Sequence, residues 1–551
     1  MRALSFTDML AGTALAVAFI ALPVRAQTAE QGQSAQTAPA PVARGLIVEL
    51  KPASTSANPN RQTPQALQDR LTSVARTAGL PVPDASPQTV GAHGYLLRFA
   101  APLQGAALDA TVQNVTANPD VQSVSPDVRM RRLDTKPNDP YFSSGTQWYL
   151  RTPGDPAGGA AALNTPPAWD VTTGLNSPVV AVVDTGALFN HADLASQFIP
   201  GYNFISDVAA GNTGLGRNPD ASDPGDWVTV ADLSNPALDG CDQSDVGPSS
   251  WHGSFNAGII GAVGNNAIGV AGIDWNAKIL PVRVSGKCGA WLSDIIDGLR
   301  WAAGGSVSGV PDNPTPARVI NISLGGSGSC DGAYQSAINE VTARGALVVV
   351  AAGNDNTALG NPANCSGVLA VGAVRQDGLK TFYSSFGSGI GLMAPGGAAE
   401  YSFPNDAITS TSNTGTQGPQ QDTYAQSEGT SFSAPMVTGV AALMLAVNPS
   451  LTPAQLITLL QQSARPFPNN PDYRTCSRGI TSACNCTRQT CGAGLLDASA
   501  AVQLAANPGS GGSSDDGSGG GGGGAAGVLW GLGLWGLAAA ALRQRKRPEV
   551  T

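Results

Sequence analysis

Charge is scarce in this 551-residue chain: Lys, Arg, Asp and Glu together make up 13% of it, about half the usual share. What charge there is leans acidic, with a net value of −9, and the densest basic run is Arg543, Arg545, Lys546 and Arg547. No basic face exists to neutralise phosphates, which excludes nucleic acid as a partner. Histidine is rarer still. His93, His191 and His252 are the whole supply, so any imidazole chemistry has three candidates. Asp-Thr-Gly occurs once, at 184–186, with no second copy and no Asp-Ser-Gly; a pair of carboxylates sharing one proton is thereby excluded. Cys484-x-Cys486 lacks the spacing and partner histidines of a tetrahedral zinc site, and no EF-hand spacing is present.

Glycine and apolar residues are abundant instead. With 68 glycines and 42% hydrophobic content, the chain can bury a large core while remaining rich in loops. Arg2, the apolar stretch Met9 to Leu22 and the small residues within Val24-Arg25-Ala26 read as a secretory signal peptide over 1–26. An even count of eight cysteines in an exported chain reads as disulfides. Of the 105 pairings that eight cysteines allow, the expectation is Cys241–Cys288, Cys330–Cys365 and two bridges among Cys476, Cys484, Cys486 and Cys491.

Composition divides the rest of the chain. Residues 27–133 open with a Gln/Ala/Ser/Pro-rich leader to about 44. A β-α-β-β-α-β-like order follows: strands at Leu46–Leu50, Gly94–Phe99 and Val121–Val124, helices at Thr63–Gly79 and Ala107–Ala117. That order predicts a small α+β, ferredoxin-like domain, ending in the basic stretch Arg129-Met130-Arg131-Arg132. Within 134–506, near-continuous apolar runs alternate with helical patterns: Val179–Val183, Ile279–Val284, Val319–Ser323, Ala346–Ala351 and Val368–Val374. Such runs, buried on both faces, predict an α/β domain with a parallel sheet flanked by helices. Residues 507–524 read as a Gly/Ser-rich linker. Over 525–551, an uncharged apolar stretch with a basic end reads as a short membrane span whose cations stay inside.

The chemistry lies in three separated segments that end in Asp, His and Ser, in that order. Asp184 closes a buried strand, where the ligands of open α/β sheets collect; as a single carboxylate it suits orienting an imidazole. His252 opens the apolar helix-like stretch 255–263 and is the candidate general base. Ser431 stands at a helix start, with Pro435 expected in the first turn. Its Gly-x-Ser-x-Ser setting differs from the Gly-x-Ser-x-Gly elbow of α/β-hydrolases. A serine there is an N-cap or a nucleophile, and the helix N-terminus favours developing negative charge in either case. Asn354, after the run Val-Val-Val-Ala-Ala-Gly, is either a turn residue or a donor to a tetrahedral oxyanion.

With Asp184-Thr-Gly, His252-Gly-Ser, Ala352-Gly-Asn354 and Gly429-Thr-Ser431-Phe-Ser-Ala-Pro435 in that order, the region from about 139 to 506 resembles the subtilisin (subtilase) family of serine endopeptidases. The resemblance implies a subtilisin-like sheet and an Asp184–His252–Ser431 triad working through an acyl-enzyme, with Asn354 as the oxyanion donor. It also implies a specificity pocket along Ser323, Leu324, Gly325 and Gly353, and a strand around Gly286 that pairs with the substrate backbone. Segment 44–133 resembles the family's inhibitory pro-domain, cleaved on maturation, and the tail resembles a bacterial Gly-Gly C-terminal sorting signal. The implied partners are protein and peptide substrates, the chain's own pro-domain and, transiently, a bacterial membrane. An esterase and a non-catalytic surface binder are the competing classes.

Two departures from the family pattern stand out, Phe255-Asn256 after the histidine and Ser433 after the serine; both are expected to alter packing only. No charged residue is expected on the pocket walls, which implies apolar or large residues before the cut. The chemistry requires no cofactor. Structural calcium is an expectation for the 207–250 insertion, through Asp207, Asp220, Asp223, Asp226, Asp232, Asp239, Asp242 and Asp245.

Overall fold

A computed structural model describes residues 42–52, 63–81, 88–128, 134–238, 240–398 and 406–508. The signal-peptide, linker and tail segments, the basic stretch 129–132 and Asp239 lie outside the described residues. The chain forms two compact units that divide between Leu133 and Asp134.

In the first unit, strands β1 (Ala43–Leu50), β2 (Thr89–Val90), β3 (Gly94–Leu103) and β4 (Val121–Val128) form an antiparallel sheet in the order β2-β3-β1-β4. Helices Pro64–Thr77 and Gly105–Thr116 complete the βαββαβ order. The Thr63 side chain caps the first helix by accepting from Ala66 N–H, with proline in the first turn. Leu46, Val48 and Leu97 from the sheet meet Leu71, Val74, Leu108 and Val115 from the helices in one core.

The second unit is built on a seven-stranded sheet, β5 (Val179–Asp184), β6 (Tyr202–Asn203), β7 (Lys278–Arg283), β8 (Val319–Ile322), β9 (Leu347–Ala351), β10 (Val368–Val374) and β11 (Leu392–Pro395). All its pairings are parallel, in the order β11-β10-β9-β8-β5-β7-β6. Alternation explains why the strands read as unbroken apolar runs, because successive side chains enter opposite cores. Val180, Val182 and Val349 face the core shared with helices His252–Gly261, Thr430–Val447 and Ala498–Ala506. Ala181, Val183 and Val348 face the core shared with Leu292–Ala302 and Gly332–Ala343. A hairpin, β12 (Ile408–Asn413) and β13 (Asp422–Ser427), precedes the Ser431 helix. That hairpin, β6 and β11 carry no long apolar run and were not legible as strands.

Two details correct or complete the sequence expectations. The Ser431 helix begins at Thr430, so Pro435 lies inside it rather than in its first turn. Proline has no N–H to give the carbonyl four residues back, which is that of Ser431; the Ser323 hydroxyl donates to it instead at 2.7 Å. The bridges are Cys241–Cys288, Cys330–Cys365, Cys476–Cys484 and Cys486–Cys491. Among the described residues one helix, Thr430–Val447, is long and apolar enough to cross a membrane, and 83% of it is buried in the core.

Candidate active site

Strand order reverses between β5 and β8: the chain leaves β5 toward β7 and β6, and leaves β8 toward β9 to β11. The carboxyl ends at such a switch point open into a crevice. Asp184 ends β5, Ser323 follows β8, and Asn354 follows β9 by three residues. Two helix N-termini, at His252 and Thr430, supply the remaining groups. The His252 helix can approach closely because residue 253 is glycine; a Cβ there would lie 2.4 Å from Gly186 O.

Asp184 is fully buried, and its Oδ1 accepts from His252 Nδ1 at 2.7 Å and from Thr185 N–H at 2.8 Å. A fifth of the His252 side chain remains exposed. Burial works against the imidazolium, yet the charge and hydrogen bond of Asp184, with Asp226 and Asp223 behind, outweigh it and hold His252 above its ordinary value. Asp223 is itself pushed up to about 7, first by burial and then by Asp226, against donation from the Thr185 hydroxyl and Gly225 N–H.

Ser431 Oγ donates to Ser323 O at 3.2 Å, and no hydrogen bond joins it to His252 among the described residues. Rotation about one side-chain torsion would release it, and unliganded sites often hold the nucleophile in such a resting bond. Asn354 is oriented by Thr430, whose N–H and hydroxyl both donate to its Oδ1 at 2.9 Å. Its Nδ2 has no acceptor among the described residues, and Asn354 lines the cleft. The Ser431 N–H, in the first turn of its helix, has no intrahelical acceptor. A hydroxyl, an imidazole, a buried carboxylate and two N–H donors thus gather at one place, a set able to perform acyl transfer.

Ser323, Leu324, Gly325 and Gly353 line a cleft of about 450 Å³ together with Asn354 and Ser431. Gly353 has φ +100°, a left-handed conformation that favours glycine. Gly286 does not join this cleft. Its N–H and carbonyl are both engaged by Gly289, at 3.0 and 3.3 Å, so this residue offers no free edge for a substrate strand, contrary to expectation.

Three residues were misjudged or missed. Asn256, expected to affect packing alone, donates from Nδ2 to Asp184 Oδ2 at 3.0 Å. Phe255 does pack, stacking on Phe432 with centroids 4.5 Å apart, and Ser433 donates to Ala394 O and Pro395 O. Asp355 is the one charged residue on the cleft wall, where none was expected, because the loop after Asn354 curls back to form that wall. Arg283, wholly buried, donates to Thr185 O, Asn203 Oδ1 and Gly211 O and so braces the segment after Asp184.

The insertion's carboxylates already have protein donors. Asp207 caps the helix Val208–Gly211, Asp242 and Asp245 form a capping box, and Asp226 takes two bonds from Ser250. Asp220 accepts from Ser222 N–H. Asp232 pairs with Lys287 at 3.1 Å, which also lies 4.7 Å from the Trp227 ring centre. With the Cys241–Cys288 bridge, this cation ties the insertion to the chain after β7. An orphaned carboxylate oxygen occurs elsewhere: Asp139 is fully buried and its Oδ1 has no hydrogen-bond partner. Burial raises its carboxyl despite backbone N–H donors, and Asp193 adds to the rise.

A parallel α/β sheet with a buried Asp–His pair, a helix-borne serine and a free amide at its switch point is the arrangement of a serine hydrolase. The profile of the subtilase family matches residues 176–494. An extracellular protease of Xanthomonas campestris pv. campestris is 42% identical over 458 residues, covering 81% of this chain and 71% of that protein. An extracellular basic protease of Dichelobacter nodosus is 36% identical, covering 80% and 68%. A solved protease structure from Pseudoalteromonas arctica is 44% identical with a TM-score of 0.59, covering 67% of this chain and all of that one. The chain belongs to the subtilase family and is a subtilisin-like serine protease.

Proposed function

We propose that the protein is a secreted endopeptidase, made as a precursor that processes itself, and that Asp184, His252 and Ser431 are its triad. The observation that carries this is the 2.7 Å contact between His252 Nδ1 and buried Asp184, in the crevice that also holds Ser431 and the Asn354 amide. Ser431 Oγ leaves Ser323 O, loses its proton to His252 Nε2 and attacks the scissile carbonyl. The oxyanion is received by Asn354 Nδ2 and the Ser431 N–H. His252 then protonates the leaving amine, and water hydrolyses the acyl-enzyme by the same steps.

The extracellular names of two relatives and the disulfides support secretion. The βαββαβ unit is assigned as the inhibitory pro-domain and residues 525–551 as a transient membrane-sorting tail. Bound calcium would add structural support, and Asp139 fits it better than the insertion does, because it keeps a buried oxygen without a donor.

The test is cleavage of an unfolded protein substrate by wild type and Ser431→Ala. Wild type should cleave and be labelled at Ser431 by a fluorophosphonate, and the variant should do neither. Equal cleavage by both, or none by wild type, rejects the assignment. Hydrolysis of simple esters with no cleavage of any protein would favour the esterase class.

A further inference from the structure

Asn256 lies one turn after His252 on the same helix, where positions four apart share a face. The residue is wholly buried. Its Nδ2 is 3.0 Å from Asp184 Oδ2 and 3.3 Å from His252 Nδ1. A carboxylate oxygen only accepts, so the atom facing it is the amide NH2. The Nδ1–H of His252 is engaged by Asp184 Oδ1 at 2.7 Å, which leaves the 3.3 Å approach as packing. The two carboxylate oxygens are thus divided: Oδ1 takes His252 and Thr185 N–H, and Oδ2 takes Asn256.

The other half of the amide has no role. Asn256 Oδ1 is buried without a hydrogen-bond partner, a burden that an apolar residue of the same shape would not carry. A helix packed between Phe432 and the β12 hairpin, with carbonyls donated to by Ser410 and Thr411, has no need of an amide at this position. What the residue does offer is a donor aimed at the carboxylate.

We propose that Asn256 is a positioning residue for the catalytic pair: its amide fixes the rotation of the Asp184 carboxylate so that Oδ1 stays aligned with the imidazole. Acting through Asp184, it need not touch substrate. The inference rests on the peptidase assignment above. The charged groups facing the pair are Asp184 from β5 and Asp223 and Asp226 from the insertion, with Arg283 behind Asp223. Of these, Asp184 alone bonds the imidazole.

The test uses the mature enzyme on one peptide substrate, with active sites counted by fluorophosphonate titration so that misfolded protein is not scored. Asn256→Leu keeps the shape and removes the donor; kcat should fall about 10- to 100-fold, the factor of one hydrogen bond to a charged group, with KM within about twofold. Asn256→Asp is isosteric and donates only while protonated, so its kcat should decline as pH rises where wild type is flat. If Asn256→Leu does not fold, the Asn256→Asp profile decides alone. A leucine variant with wild-type kcat, or an aspartate variant whose pH profile superimposes on wild type, overturns the inference. Either result with an active wild type leaves the peptidase assignment standing; an inactive wild type rejects that assignment instead.

Discussion

Replacing Asp274 by asparagine should make the protein more stable in alkaline solution and leave it nearly unchanged in acid. The carboxyl is wholly buried outside the cleft; Oδ1 accepts from Asn276 N–H at 3.1 Å, and this N–H and the Ser177 hydroxyl offset the burial only in part. Gly174 presses closely on the carboxyl: a Cβ there would lie 1.8 Å from Oδ1. Burial pushes the group from 3.8 up to about 7. An acid raised on folding is protonated in both states below 3.8, and ionises first in the unfolded chain as pH rises. Stability is therefore lost between pH 3.8 and about 7, and the loss is complete above that window. At 1.36 kcal/mol per pH unit the span corresponds to about 4 kcal/mol. For a unit of this size that is roughly 5 °C in the unfolding midpoint. Differential scanning calorimetry of Ser431→Ala, with and without Asp274→Asn, avoids self-digestion while pH is stepped from 4 to 8. Asp223, also raised to about 7, is present in both proteins and cancels. A midpoint difference that stays constant across this range refutes the reasoning.

Removing the Cys241–Cys288 bridge by a double serine substitution should lower the midpoint by a similar amount. Its partners are 47 residues apart, a loop whose closure is worth about 4 kcal/mol in the chain-entropy picture. The same calorimetry, in the Ser431→Ala background, would show no change if the Lys287–Asp232 pair alone holds the insertion. At the cleft wall, Asp355 has no ion-pair partner among the described residues and should favour a cationic residue before the cut. Asp355→Asn should reduce kcat/KM for a lysyl substrate about fivefold relative to a leucyl one, the scale of an exposed ion pair, and 0.5 M salt should erase most of the difference. Equal ratios in the two enzymes would reject that role.

Expectations drawn from local pattern and from tertiary contact fared differently, for a physical reason. Five of the seven strands in the large sheet were legible because each is buried on both faces and so must be apolar throughout. β6, with two residues, and β11, with four, are too short to show a pattern. Asp184, His252, Asn354 and Ser431 stood out because each sits where a strand or helix ends, among glycines needed for close approach. Pro435 misled because proline usually marks a first turn; here the helix starts earlier and Ser323 satisfies the carbonyl that proline leaves open. Gly286 misled because its neighbour in space, Gly289, is set by a turn that no periodicity announces.

The order of Asp, His and Ser, the apolar strands between them and the even cysteine count were determined by the sequence alone, since each is a property of consecutive residues. Which oxygen of Asp184 meets which donor is a matter of angstroms between segments about 70 residues apart, and only the tertiary structure decides it. That is why Asn256 read as packing in one dimension and stands against the carboxylate in three. The placement of Asp355 on a cleft wall and of Arg283 behind the segment after Asp184 has the same origin, since burial and charge proximity arise only once the sheet has brought its loops together.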